Sequence, residues 1–135
     1  MIRVVLDTNV LVAGILSEHG PPGWIMDLVA AHEIALVYDS RILAEYREVL
    51  ARPELDLDPT RVKQLLSVVE EQGLFVSPLP WPHTLPDPDD EPFLATAKAA
   101  GVTLVTGNVR HFPISARGEV VVATPREFMD SLARR

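Results

Sequence analysis

The chain has no cysteine among its 135 residues. Disulfides, thiolate metal sites and cysteine nucleophiles are thereby excluded, and a cytoplasmic setting is expected. Long apolar runs are missing too: none approaches the ~20 residues that a bilayer span requires. The stretch from Val10 to Leu16 is too short, and no basic leader with a small-residue cleavage site precedes it, so no signal peptide is expected. Positive charge is scarce. Lys and Arg total 12 against 19 Asp and Glu, giving a net charge of −7. That disfavours a module coating DNA or RNA through a basic surface. It leaves room for a nuclease, because carboxylates that hold divalent metals enter the same sum, and it suits a basic partner equally. No G-x-G-x-x-G follows any strand, which argues against a nucleotide cofactor.

What is present is an alternation of strands and helices. At this length one domain, residues 1–135, is expected. Ile2 to Leu6 reads as a strand buried on both faces, ending on Asp7-Thr8-Asn9. Val10 to Leu16 starts a helix, and Ser17 to Gly23 reads as a loop by its Gly and Pro content. Trp24 to Ala31 has helical spacing, with Trp24 assigned to packing. Ile34 to Tyr38 is a second buried strand. Asp39-Ser40 supplies cap oxygens for a helix that runs to about Leu50. A helix from Pro59 to Gly73, a short strand over Leu74 to Val76 and a loop rich in proline between 77 and 92 follow. Glu91 to Ala100 is helical and is closed by Gly101. Val102 to Thr106 and Val120 to Ala123 are strands, and Thr124-Pro125-Arg126-Glu127 is a capping box opening the last helix. Alternation of this kind predicts a parallel sheet with helices on both sides.

In such sheets ligands bind beyond the carboxyl ends of the strands. Asp7 stands there, as a helix cap or as a ligand. Helical phase then sorts the other acids. In the helix from Arg41, the stripe Ile42, Leu43, Tyr46, Val49 and Leu50 has Glu45 at its edge and Glu48 toward solvent. In the run Asp87-Pro88-Asp89-Asp90-Glu91, Asp90 lies on the face of Phe93, Leu94 and Ala97 while Asp89 and Glu91 point aside. A carboxylate aimed inward requires a cation or a donor. Asp87 precedes the helix and either reaches the same place or simply turns the chain. Thr106-Gly107-Asn108 repeats the strand-then-polar-turn arrangement of Asp7-Thr8-Asn9. Arg41, Lys98, Arg110 and Arg117 are candidates for backbone contacts with a nucleic acid, which the sequence does not rank. Trp81, in the proline-rich loop, is open to packing or to stacking on a base.

Together these pieces resemble PIN-domain nucleases, and among them the VapC-like toxins of prokaryotic toxin–antitoxin modules. The resemblance rests on Val4-Val5-Leu6-Asp7-Thr8-Asn9-Val10-Leu11, on Ser40 with Glu45, on Asp90 with Phe93-Leu94-Ala95-Thr96-Ala97, and on Leu104-Val105-Thr106-Gly107-Asn108 with His111-Phe112. It implies an α/β/α sandwich with a central parallel sheet of about five strands in the order 3-2-1-4-5. It implies metal-binding, catalytic acids at Asp7, Glu45 and Asp90, with a fourth, often acidic, position on Asn108. Thr8, Asn9, Asp87 and Thr106 would be supporting polar residues. The implied activity is Mg²⁺- or Mn²⁺-dependent hydrolysis of RNA, and the implied partners are RNA, a cognate antitoxin and a second copy of the chain. The alternative is a weak or inactive PIN-fold protein that binds RNA or a basic partner.

Overall fold

A computed structural model describes residues 1–134. Five parallel strands form one sheet: β1 (Ile2–Leu6), β2 (Ile34–Tyr38), β3 (Leu74–Phe75), β4 (Thr103–Val105) and β5 (Val122–Ala123), in the order β3-β2-β1-β4-β5. The expected sheet and strand order are therefore those observed. Val4, Val5 and Leu6 and all of β2 are buried, as strands covered by helices on both faces must be. Three strands are shorter than their apolar stretches. The flanking residues still bond to the sheet, Val76 N–H to Tyr38 O at 2.9 Å and Thr106 N–H to Ala123 O at 3.0 Å, but do not continue the ladder.

The helices are α1 (Thr8–Leu16), α2 (Pro21–Ala30), α3 (Ser40–Leu50), α4 (Pro59–Gln72), α5 (Glu91–Ala100) and α6 (Pro125–Ala133). Helix α2 begins inside the stretch read as a loop, because Pro21 and Pro22 occupy its first turn, where a missing N–H costs nothing. Helices α1 and α2 approach closely at Gly14, where a Cβ would stand 2.4 Å from Met26 Cγ and 2.6 Å from Pro22 O. Gly101, at φ 65°, closes α5 as expected. The capping box of α6 is formed in both directions between Thr124 and Glu127. Trp24 departs from its assignment: on α2 it is 43 % exposed. No helix among the described residues is long and apolar enough to cross a membrane.

Two sets of helices cover the sheet. Helix α3 packs with α5 and with α1, while α2 packs with α1, α4 and α6. Tyr46, Phe93 and Phe112 are the largest fully buried side chains. They come from α3, from α5 and from the segment after β4. Trp81 proves to be a packing residue. It is 9 % exposed, and its Nε1–H donates to Ala116 O at 2.9 Å. The proline-rich segment is thus tied to the chain that follows β4.

Candidate acidic site at the carboxyl ends of the strands

Strand β1 delivers Asp7 to the end of the sheet beside β4. Leu6 is in register with Val105, and Asp7 N–H donates to Val105 O at 2.9 Å. Asp7 holds the cap position of α1, yet its side chain does not cap the helix. Instead the Thr106 hydroxyl donates to Asp7 Oδ2 at 2.8 Å. Thr106 Oγ1 in turn accepts from Asn108 N–H at 3.0 Å, and Asn9 Oδ1 accepts from Gly107 N–H at 3.3 Å. The two polar turns that looked alike in sequence are laced together. Asp7 and Thr106 are buried, and Asn108 is exposed.

Glu45 reaches the same place from α3. Its Oε2 accepts a hydrogen bond from the Thr8 hydroxyl. Glu48 is a surface charge, paired with Arg52 at 3.1 Å and 67 % exposed, so helical phase separated the two glutamates correctly. The turn of α3 that carries Glu45 is anchored by Tyr46, whose hydroxyl donates to Leu6 O at 2.5 Å. This contact ties α3 to the residue immediately before Asp7. In sequence Tyr46 was only one member of an apolar stripe.

Asp90 ends a 3₁₀ turn (Pro88–Asp90) and opens α5. Its side chain is 14 % exposed, and His111 Nδ1 lies 3.2 Å from its Oδ2. That approach is outside hydrogen-bond geometry, and Asp90 Oδ2 is a buried oxygen with no hydrogen-bond partner among the described residues. Asp87 is exposed, and its carboxylate accepts from Asp89 N–H at 3.0 Å, which makes it the turn residue before the proline.

Charge links the three acids. Burial, then repulsion from Asp7 and Asp87, raises the Asp90 carboxyl to about 6, against the partial relief of His111. Burial also raises Asp7, tempered by the Thr106 hydroxyl, and raises Glu45, where Thr8 opposes the repulsion of Asp7. All three therefore hold a proton more tightly in the folded chain than in the unfolded one. For Asp90, the destabilisation sets in as pH rises from about 4 to about 6 and is complete above that. In metal-free buffer, lowering the pH from 7 to 5 is expected to raise the melting temperature, and Asp90→Asn is expected to flatten that rise. Parallel wild-type and Asp90→Asn profiles would show that Asp90 plays no part.

Carboxylates with the Asn108 amide oxygen are the donors a hard divalent cation takes. The orphaned Asp90 Oδ2 fits that chemistry. The spacing is not that of a preformed cage: among the described residues no three of His, Asp and Glu stand close enough together to hold a metal ion. Each acid is engaged separately, Asp7 by Thr106, Glu45 by Thr8, and Asp90 beside His111.

Known proteins are similar to this chain. An uncharacterized protein of Methanocaldococcus jannaschii, MJ1680, is 26 % identical over 146 residues, covering 98 % of this chain and 93 % of that protein. The crystal structure of PAE2754 from Pyrobaculum aerophilum superposes with a TM-score of 0.56 at 14 % identity, covering 99 % of this chain and 91 % of that one; the likeness is one of fold. The model of a family described as the PIN domain matches residues 3–110, which include Asp7, Glu45, Asp90 and Asn108. With the strand order and the acids placed as they are, the chain belongs to the PIN domain family.

Proposed function

We propose that this PIN domain binds RNA across the carboxyl ends of its strands and, with its acids arranged as they are, hydrolyses it weakly at most. The carrying observation is that Asp7 and Glu45 crowd Asp90 with like charge and Asp7 crowds Glu45, yet no three acids or histidines in the described residues stand as a cage. Asn108, at the fourth position, adds an acceptor without charge. Arg41, Arg110, His111 and Arg117 lie on the segments that leave the same ends of the strands, where phosphates would pass. A basic protein segment competes for this crevice, because an arginine side chain would supply the donor that Asp90 Oδ2 lacks.

A second reading is favoured by that same orphaned oxygen: a Mg²⁺- or Mn²⁺-dependent endoribonuclease, the toxin of a toxin–antitoxin pair, working as a homodimer. Asp7, Glu45, Asp90 and the Asn108 amide oxygen would hold the ion. When bound, the ion would supply an activated water and neutralise charge on the phosphate. Thr106 and Thr8 would fix the orientation of the Asp7 and Glu45 carboxylates through the hydroxyl bonds they already make.

The readings part in one experiment. The full chain is titrated with Mn²⁺ by calorimetry, and single-stranded RNA is followed by anisotropy and on a denaturing gel. RNA binding with negligible cutting over hours supports the first reading. Mn²⁺ binding with fragments that disappear on chelation supports the second. Failure to bind RNA with or without Mn²⁺ overturns both.

A further inference from the structure

Helix α3 carries a cation one turn before Glu45. Helix α3 starts at the carboxyl end of β2 and descends past the site. Glu45 faces the crevice through its bond with Thr8. Arg41 lies four residues earlier, on the same face and about 6 Å further out. The Arg41 guanidinium is held. Its Nε and Nη2 each lie 2.8 Å from Asp39 Oδ2. Asp39 is itself fixed, because its Oδ1 accepts from Ile42 N–H at 2.8 Å and caps α3. The pair is unequal: the Arg41 side chain is 51 % exposed and that of Asp39 only 5 %.

Other cations near these elements are engaged differently. Lys98 Nζ lies 6.0 Å from the Trp81 ring centroid, and Arg117 Nε–H donates to Phe112 O at 2.9 Å. Arg47 pairs with the exposed Glu70, and Arg52 with the exposed Glu48. Arg41 differs in that a buried carboxylate sets its orientation through Nε and Nη2 while half of the side chain stays exposed. A planar guanidinium with donors left over and its orientation prearranged suits a phosphate, because little side-chain entropy remains to be lost on binding.

We propose that Arg41 is a phosphate-binding residue, its guanidinium held at the mouth of the crevice by Asp39 to receive a phosphodiester of an RNA strand lying across the sheet ends. This rests on RNA as the occupant of the crevice. The contact offsets a difficulty of that reading, since a crevice of acids repels the phosphates on either side of it. Arg41 gives the strand one fixed cationic contact one helical turn away from Glu45. Asp39 is a positioning residue: it touches no RNA and acts by orienting Arg41.

The test is anisotropy of a labelled single-stranded RNA oligonucleotide with the full chain in buffer containing Mn²⁺, repeated over a series of KCl concentrations. Arg41→Gln is expected to weaken binding about tenfold, and to reduce the slope of log affinity against log salt by about 0.7, the release expected for one phosphate contact on a single strand. Arg41→Lys should restore the slope while recovering only part of the affinity, since it keeps the charge and loses the fork. Asp39→Asn, whose amide oxygen can still cap α3, should weaken binding with the slope unchanged. Arg3→Gln, an exposed arginine on β1 four residues before Asp7, controls for net charge and should change neither. Arg41 is on the surface, so its variants are expected to fold, which circular dichroism checks. If Arg41→Gln behaves as Arg3→Gln while the wild type binds RNA, the clamp is wrong and the RNA reading survives. If the wild type does not bind RNA, the reading falls and the clamp with it.

Discussion

Asp7→Asn is expected to raise the melting temperature of the metal-free protein by several degrees and to abolish any Mn²⁺ binding that the crevice supports. Asp7 is 6 % exposed, and burial is the largest influence on its carboxyl. Replacing a buried charge by a neutral group of the same shape removes the cost of keeping that charge away from water, and in a domain of this size each kcal/mol is about 4 °C. The amide keeps the geometry, because its oxygen can still accept from the Thr106 hydroxyl. The substitution also reaches further, since Asp7 is the largest source of repulsion on both Asp90 and Glu45. The rise in stability on acidification should therefore shrink in Asp7→Asn. Differential scanning calorimetry at pH 5 and pH 7, beside a Mn²⁺ titration, reads all three effects. A lower melting temperature at pH 7 would mean that Asp7 is held by its surroundings more strongly than burial penalises it.

Tyr46 should be the most sensitive single position near the site. It is fully buried, and its hydroxyl joins α3 to Leu6 O. Burial, with Asp7 and Glu45 nearby, holds the phenol well above its ordinary range, so it stays a donor. Tyr46→Phe leaves the volume filled and removes the donor, at a cost of about 1–3 kcal/mol. Tyr46→Ala opens a cavity as well and should cost about 3–5 kcal/mol, a large part of the 5–15 kcal/mol that holds a typical domain together. Urea unfolding at pH 7 separates the two. Equal midpoints for Tyr46→Phe and wild type would show that the hydroxyl contributes no net stability. Because the bond ends one residue before Asp7, Tyr46→Phe should also loosen Glu45 relative to Asp7 and weaken any shared ligand.

The sheet was readable because its strands are short, mostly apolar and separated by helices of clear phase. Helical phase likewise sets Glu45 apart from Glu48, and Asp90 from Asp89 and Glu91. It worked because a helix converts position in the sequence into direction. What could not be read were contacts between elements far apart in the chain. The hydroxyl of Thr106 on Asp7, the hold of Asp39 on Arg41 and the approach of His111 to Asp90 depend on rotamers and on loops without a period. Trp24 and Trp81 show the same limit. An indole on an amphipathic helix looked internal and lies 43 % exposed, while one between prolines proved to be buried. The start of α2 was misplaced because proline marks a helix entrance as readily as a loop.

The hydrogen bond between Asp7 and Thr106 joins residues 99 positions apart, whereas that between Thr8 and Glu45 spans 37. A chain emerging during synthesis can pair β1 with β2 and bring Glu45 to Thr8 while β4 is still unmade. The partner of Asp7 arrives only when most of the protein exists, and closing so long a loop is among the slower events of folding. Assembly of the crevice is thereby coupled to completion of the chain. A product truncated before residue 106 carries the acids but lacks the hydroxyl that orients the first of them.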